Sequence, residues 1–243
     1  MKTAVVFKWT RDPQDARISV DGSLVWGNAK MAPCDDDPAV MEIAKTLAGE
    51  DEILAVTIGN GDSAWAAARG AASTVIVKDV EDLADATVTA SIIAEALRQN
   101  GDFEAVVIGD SDWNAGVVVG LIAEMGLPAF AGVVAAEAAG DAYRLSCKSG
   151  ATTKIVEARP PFLIGVKGLT SEKSAPGMKQ VLQARKKPQT ALEVAALPNV
   201  KASCAEEAGV RLPDRGSITM IDGSDPAAAA RELVQELKRG NIL

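Results

Sequence analysis

The chemistry open to this chain is bounded first by a residue type it lacks. None of its 243 residues is histidine, which excludes Ser-His-Asp triads, Cys-His pairs and His-built zinc sites, and removes the side chain that titrates nearest neutral pH. Cys34, Cys147 and Cys204 are odd in number and far apart. They match neither a CxxC metal knuckle nor a disulfide framework, and they fit a reducing compartment as small buried hydrophobes. What remains is a set of small-residue stretches that follow apolar runs: Lys8-Trp9-Thr10, Gly59-Asn60-Gly61-Asp62-Ser63, and Gly109-Asp110-Ser111-Asp112-Trp113-Asn114-Ala115-Gly116. At the carboxyl ends of strands in an open parallel sheet, such stretches lead into helix starts whose free N–H groups hold phosphate, and glycine lets the backbone approach a ligand. They suit a nucleotide about as well as they suit ordinary turns. Neither GxGxxG nor GxxxxGK[ST] is present, so no dinucleotide fingerprint or P-loop is available, and Asp110 and Asp112 oppose a phosphate lying close.

Three further features carry two readings each. The run Asp35-Asp36-Asp37 offers hard oxygen ligands for a divalent cation, but consecutive residues rarely converge on one ion, and a solvated helix start is the expected role. Trp9, Trp65 and Trp113 are core or interface residues more often than cofactor stackers, although Trp9 and Trp113 fall at strand ends. Arg185-Lys186-Lys187 is a basic island in an acidic protein, either solvated surface or a face for an acidic partner.

The elements that must position these residues follow from hydrophobic pattern. Apolar residues make up 48% and interspersed charges 24%, the composition of an ordinary globular chain with one core. A net charge of −8 disfavours nucleic acid and anionic membrane as partners. No stretch approaches a membrane span and the N-terminus is too short in apolar residues for a signal peptide, so membrane insertion is not expected and a cytoplasmic location is. Continuous β-branched runs at 3–8, 53–59, 74–78, 104–109 and 161–166 lack polar alternation, as strands covered on both faces do. Helical patterns separate them, the signature of βαβ units. Asp37-Pro38 opens a helix continuing to Leu47. In 81–99, Leu83, Ala86, Ala90, Ile93 and Leu97 form one stripe, and 114–125 is a third helix ending at Gly126. Residues 138–153 suggest two short antiparallel strands. After Pro188 the alternation stops, so 1–188 is expected to be the α/β domain and 189–243 an extended arm. The arm ends in a capped helix, 227–239, whose narrow stripe of Ala230, Leu233, Val234 and Leu237 needs a cover.

The order of these segments resembles the beta subunit of electron transfer flavoproteins, including the branch associated with nitrogen fixation and carnitine metabolism. Phe7-Lys8-Trp9-Thr10-Arg11-Asp12 resembles that family's V-K-x-V-P-D, and Asp36-Asp37-Pro38-Ala39-Val40 its D-E-x-A-V helix start. Ala105 to Gly109 with Gly120-Leu121-Ile122-Ala123-Glu124-Met125-Gly126-Leu127-Pro128 is similar to the family's ligand strand and helix. Ser171 to Met178 with Gln183 to Pro188, and Asp222 to Leu243, resemble its N-E-P-R-x-x-x-L…K-A-K-K segment and its C-terminus. The loop Ser111 to Gly116 departs from the family's Q-A-I-D-G-D-T-A-Q and is about two residues shorter.

The resemblance implies an adenine nucleotide alpha hydrolase-like fold, a doubly wound, mostly parallel sheet with a C-terminal arm and terminal helix packing on a partner. It implies a heterodimer with an alpha subunit that shares FAD and shuttles electrons from an acyl-CoA dehydrogenase-like or other flavin dehydrogenase, with no catalytic acid or base in this chain. AMP is expected in the beta-subunit site ahead of a second FAD, held by Lys8, Trp9, Asp36, Gly59, Gly109, Ser111, Asn114 and Gly116. A partner recognition loop carries Glu172, Met178, Arg185, Lys186 and Lys187, with Met178 at the anchor position or else the first buried residue of a helix. The competing readings are a stand-alone nucleotide sensor of universal-stress type and a nucleotide-dependent α/β enzyme.

Overall fold

The computed structural model describes residues 1–80, 85–110, 115–168, 175–203 and 218–242. The five runs of β-branched residues form strands: β1 (Thr3–Val6), β2 (Ile53–Ile58), β3 (Ser73–Lys78), β4 (Ala105–Gly109) and β8 (Phe162–Val166). Between β4 and β8 the chain builds β5 (Ala129–Ala139), β6 (Ala142–Ser149) and β7 (Thr152–Ala158), and β9 (Gln189–Glu193) comes last. These nine strands make one sheet in the order β7-β6-β5-β8-β4-β1-β2-β3-β9. All pairings from β5 to β9 are parallel, while β5, β6 and β7 run as an antiparallel meander.

Alternate residues of the parallel strands feed two cores. Val5, Phe7, Ala55, Val107, Phe162 and Ile164 face α1 (Asp37–Ala48) and α2 (Ser63–Ala68), through Val40, Ala44, Leu47 and Trp65. Val6, Val56, Val75, Val106, Ile108 and Leu163 face α3 (Ala86–Gln99) and α4 (Ala115–Met125), through Ala90, Ile93, Leu97 and Leu121. The sheet is therefore covered on both sides, a doubly wound α/β fold. Its chain runs outward from β1 to β2 and β3, then returns to place β4 on the other flank of β1, so the topological switch point lies between β1 and β4. A short antiparallel bridge, Thr10 with Ala32 and Arg11 with Met31, brings the approach to α1 alongside the exit from β1.

Three elements differ from the sequence expectation. The excursion over 138–153 is three strands of 11, 8 and 7 residues rather than two short ones. Its first strand, AFAGVVAAEAA, is too rich in alanine to display a strand pattern, and the turns fall at Gly140 (φ 71°) and Gly150 (φ 58°). The short α2 sits in a stretch read only as a loop, and its N-cap Asp62 accepts from Ala64 N–H at 2.9 Å. Beyond Pro188, where the pattern predicts no strand, Gln189–Glu193 pairs in parallel with Ser73–Lys78 as an edge strand of the chain's own sheet.

The residues after β9 are tied to α3 by polar contacts that hydrophobic periodicity does not report. Gln99 Nε2 donates to Ala196 O (3.1 Å), Asn199 Nδ2 to Glu95 Oε2 (3.1 Å), Lys201 N–H to Ser91 Oγ (3.1 Å) and Ser203 Oγ to Asp85 Oδ2 (3.0 Å). Lys201 also pairs with Glu124 of α4, and Leu197 is buried.

Chain contacts divide the molecule into two units, 1–17 with 24–208, and 18–23 with 209–243. In the smaller unit α6 (Pro226–Arg239) begins at Asp225, whose carboxylate accepts from Ala227 and Ala228 N–H, and has Pro226 in its first turn. Leu233 and Val234 are about half exposed.

Candidate functional site

A cluster of charged side chains gathers at the switch point, where Phe7-Lys8 follows β1 and Asp110 follows Gly109 at the end of β4. Its centre is Asp37, a carboxylate only 1% exposed. Instead of serving its own helix, Asp37 Oδ2 accepts the backbone N–H of Lys8 at 3.0 Å and of Cys34 at 2.8 Å. One carboxylate thus joins the end of β1 to the entry of α1. Its other oxygen, Oδ1, is buried with no hydrogen-bond partner among the described residues. The same is true of the Lys8 ammonium.

Asp36 faces the far side of the cleft, where its Oδ1 accepts the N–H of Gly168 at 2.6 Å. Asp110 N–H donates to Val166 O at 2.6 Å, drawing the β4 exit against β8. At Gly109 a Cβ would stand 3.1 Å from Asp36 Cβ and 3.5 Å from Asp37 Oδ1, so the carboxylates close on the β4 backbone only because that side chain is missing. The expectation of a solvated Asp35–Asp37 run fails for Asp37: folding the entry of α1 onto β1 carries its carboxyl inside. Asp36 and Asp37 accept from different backbone N–H groups, Asp37 from Lys8 and Cys34 and Asp36 from Gly168. Among the described residues no group of three acidic or thiol side chains is placed to hold a metal.

Burial dominates the electrostatics here. Desolvation pushes the Asp37 carboxyl up to about 7, against the two backbone N–H bonds and the Lys8 charge that favour its ionised form. Asp36 is raised for the same reason, opposed by the Gly168 N–H and by Lys8. Desolvation lowers Lys8 below the usual lysine range, while Cys34, Asp37, Asp36 and Asp110 act to keep it charged. The cluster thus holds one buried ammonium near three carboxylates, and among the described residues Lys8 Nζ and Asp37 Oδ1 have no hydrogen-bond partner.

The structure brings together Lys8, Asp36 and Gly109 of the residues singled out by sequence. Trp9 lies half-buried against the core on the α1 side. Gly59 ends the neighbouring strand β2, its N–H bonded to Val77 O at 2.8 Å. Gly116 lies on α4, where a Cβ would meet Ala86 Cβ of α3 at 2.7 Å. Ser111, Asn114 and Glu172 lie outside the described residues. Met178 is 77% exposed at the start of α5 (Met178–Ala184), which disposes of the buried reading, and Leu182 one turn on is 54% exposed. Arg185 and Lys186 face solvent. Lys187 Nζ instead donates to Ala67 O (3.0 Å) and Ala71 O (2.7 Å), capping the C-terminus of α2. Sequence reasoning did not assign Asp37 or Gly168 to the site. The second was signalled by a glycine just past a strand end, the same pattern that marked Gly59 and Gly109.

An open, mostly parallel sheet covered by helices on both faces, with a charged cluster at its switch point, defines a doubly wound α/β protein. The sequence pattern of the electron transfer flavoprotein domain matches residues 29–197, more than half of the chain and most of this sheet, and the chain belongs to that family. Among the described residues no helix is long and apolar enough to cross a membrane.

Proposed function

We propose that this chain is the beta subunit of an electron transfer flavoprotein. It pairs with an alpha subunit, shares FAD with it, and passes electrons between a flavin dehydrogenase and a downstream acceptor. The observation that carries the reading is the buried Lys8 ammonium at the switch point, which has no hydrogen-bond partner among the described residues, in a chain of this family. A buried cation without a partner is costly, and a bound anionic or carbonyl oxygen would satisfy it. The beta assignment is supported by the chain's continuation past its sheet into α6, whose apolar stripe includes the half-exposed Leu233 and Val234. Residues 218–242 are accordingly the arm that packs on the alpha subunit.

A bound flavin would accept and release electrons singly or in pairs, and that chemistry belongs to the cofactor. The residues of this chain bind, orient and exclude water. Lys8 offers its ammonium to a nucleotide oxygen, Gly109 leaves room for Asp36 and Asp37 against the end of β4, and those two carboxylates fix the loops around them. Trp9, Gly59, Ser111, Asn114 and Gly116 complete the proposed binding set. The switch-point cluster offers one lysine to a phosphate, and the loop Ser111 to Gly116 is about two residues shorter than the family's, which leaves less chain to surround a dinucleotide. AMP is therefore favoured over a second FAD in this site. Met178 and Leu182, an exposed apolar pair at i and i+4 beside Arg185 and Lys186, form the face offered to the dehydrogenase.

Anaerobic dithionite titration of the tagged full-length chain, purified with its native partners, tests the reading. Bleaching of a bound flavin spectrum, and its recovery with an electron acceptor, is expected. A colourless complex that releases no flavin on denaturation would overturn it.

A further inference from the structure

Asp36 occupies the N-cap position of α1 yet does not cap it. Its backbone is helical (φ −81°, ψ −21°) and its side chain accepts nothing from the first turn, whereas an aspartate there ordinarily takes the N–H of the second or third helical residue. The carboxylate turns instead to the N–H of Gly168, 132 residues along the chain. The fit is close: a Cβ on Gly168 would stand 2.9 Å from Asp36 Oδ1, 3.3 Å from Asp36 Cα and 3.4 Å from Asp35 O. One residue earlier, Lys167 N–H donates to Val133 O at 2.9 Å. The chain leaving β8 is therefore pinned through Gly168, and among the described residues α5, with its exposed Met178 and Leu182, is the next element in sequence. The other charges acting on Asp36 are Lys8, Asp110 and Lys167, two of them from the cleft itself.

We infer that Asp36 is a positioning residue: a clamp that fixes, from the switch-point cleft, the base of the chain leading into α5. The same carboxylate thereby serves both the cleft and the element proposed to face the dehydrogenase. Only this last link rests on the function proposed above.

Hydrogen exchange by mass spectrometry on the full-length protein tests the clamp without any partner. Asp36→Ala removes the acceptor. Gly168→Ala forces it away. Asp36→Asn keeps an acceptor oxygen and serves as the conservative rescue. Asp36→Ala and Gly168→Ala should each speed exchange of the backbone amide at position 168, resolved by overlapping peptides, by about tenfold or more, the loss expected for a hydrogen bond to a charged acceptor. Peptides from β1, β4 and the interior of α1 should be unchanged. Asp36→Asn should stay within about threefold of wild type, and the double variant should add nothing to either alanine variant, since both break one contact. Unchanged exchange at position 168, a uniform rise over the whole chain, or an asparagine variant as fast as the alanine one would each overturn the clamp. A protein without flavin that still shows the local pattern would refute the cofactor reading and leave the clamp standing.

Discussion

Asp37→Asn isolates the energetics of the buried carboxyl. In the folded chain the carboxyl titrates near 7 because it is desolvated, against 3.8 when exposed. Below pH 3.8 both states hold the proton. Between 3.8 and about 7 the unfolded chain has released it and the folded chain keeps it, so the stability this proton provides drains away as pH rises and is gone above about 7. At about 1.4 kcal/mol per pH unit, the swing between pH 4 and pH 8 is on the order of 4 kcal/mol as an upper bound. Asparagine copies the protonated carboxyl: its oxygen can accept the Lys8 and Cys34 N–H groups, and its amide occupies the place of the unpartnered Oδ1. The variant should therefore match wild type near pH 4 and exceed it by roughly 2–4 kcal/mol near pH 8, allowing for relaxation around the ionised group. Urea unfolding at a series of pH values measures the difference, followed by the fluorescence of Trp65, which is buried against Phe7 at 5.2 Å. A stability difference between the two proteins that does not change with pH would refute the reasoning.

Truncation after Pro188 should cost the fold, because it strips the edge strand from β3 and removes the buried Leu197 from the core on the α3 side; a melting temperature lower by about 5 °C or more is expected in a thermal scan. Truncation after Ser203 should stay within about 2 °C of the full chain, since it keeps the contacts along α3, while losing co-purification with the alpha subunit. Met178→Ala, alone or with Leu182→Ala, should leave the melting temperature unchanged and slow flavin reduction by the dehydrogenase, whereas truncating a core methionine would cost about 2–5 kcal/mol. Lys187→Met should destabilise by about 1–3 kcal/mol, because two carbonyls at the end of α2 lose their donor, and should leave dehydrogenase kinetics intact.

The parallel core was legible because its strands are buried on both faces, so Thr3–Val6, Ala105–Gly109 and Phe162–Val166 stand out as unbroken apolar runs. The edge strand Gln189–Glu193 was not, since four of its five side chains are exposed and only Leu192 reaches the core. The segment that follows it is held by Asn199, Lys201 and Ser203, polar residues whose partners on α3 lie about a hundred residues away. At the site, Lys8 and Gly109 were visible as residues at strand ends, a local signal. The inward turn of Asp37 was hidden, because an acidic residue before Pro38 reads as a helix cap until the fold lays Cys34 and Lys8 against it.

The central claim is that this chain works in a flavin-bearing pair, with its switch-point cleft holding a nucleotide. Native mass spectrometry of the complex captured on the full-length chain, with the released nucleotides identified after denaturation, tests it most directly. A heterodimer with a second member of the electron transfer flavoprotein family carrying about one FAD is expected, with AMP lost when Lys8 is changed to Met. A chain that runs alone, with neither flavin nor adenine nucleotide, would contradict it.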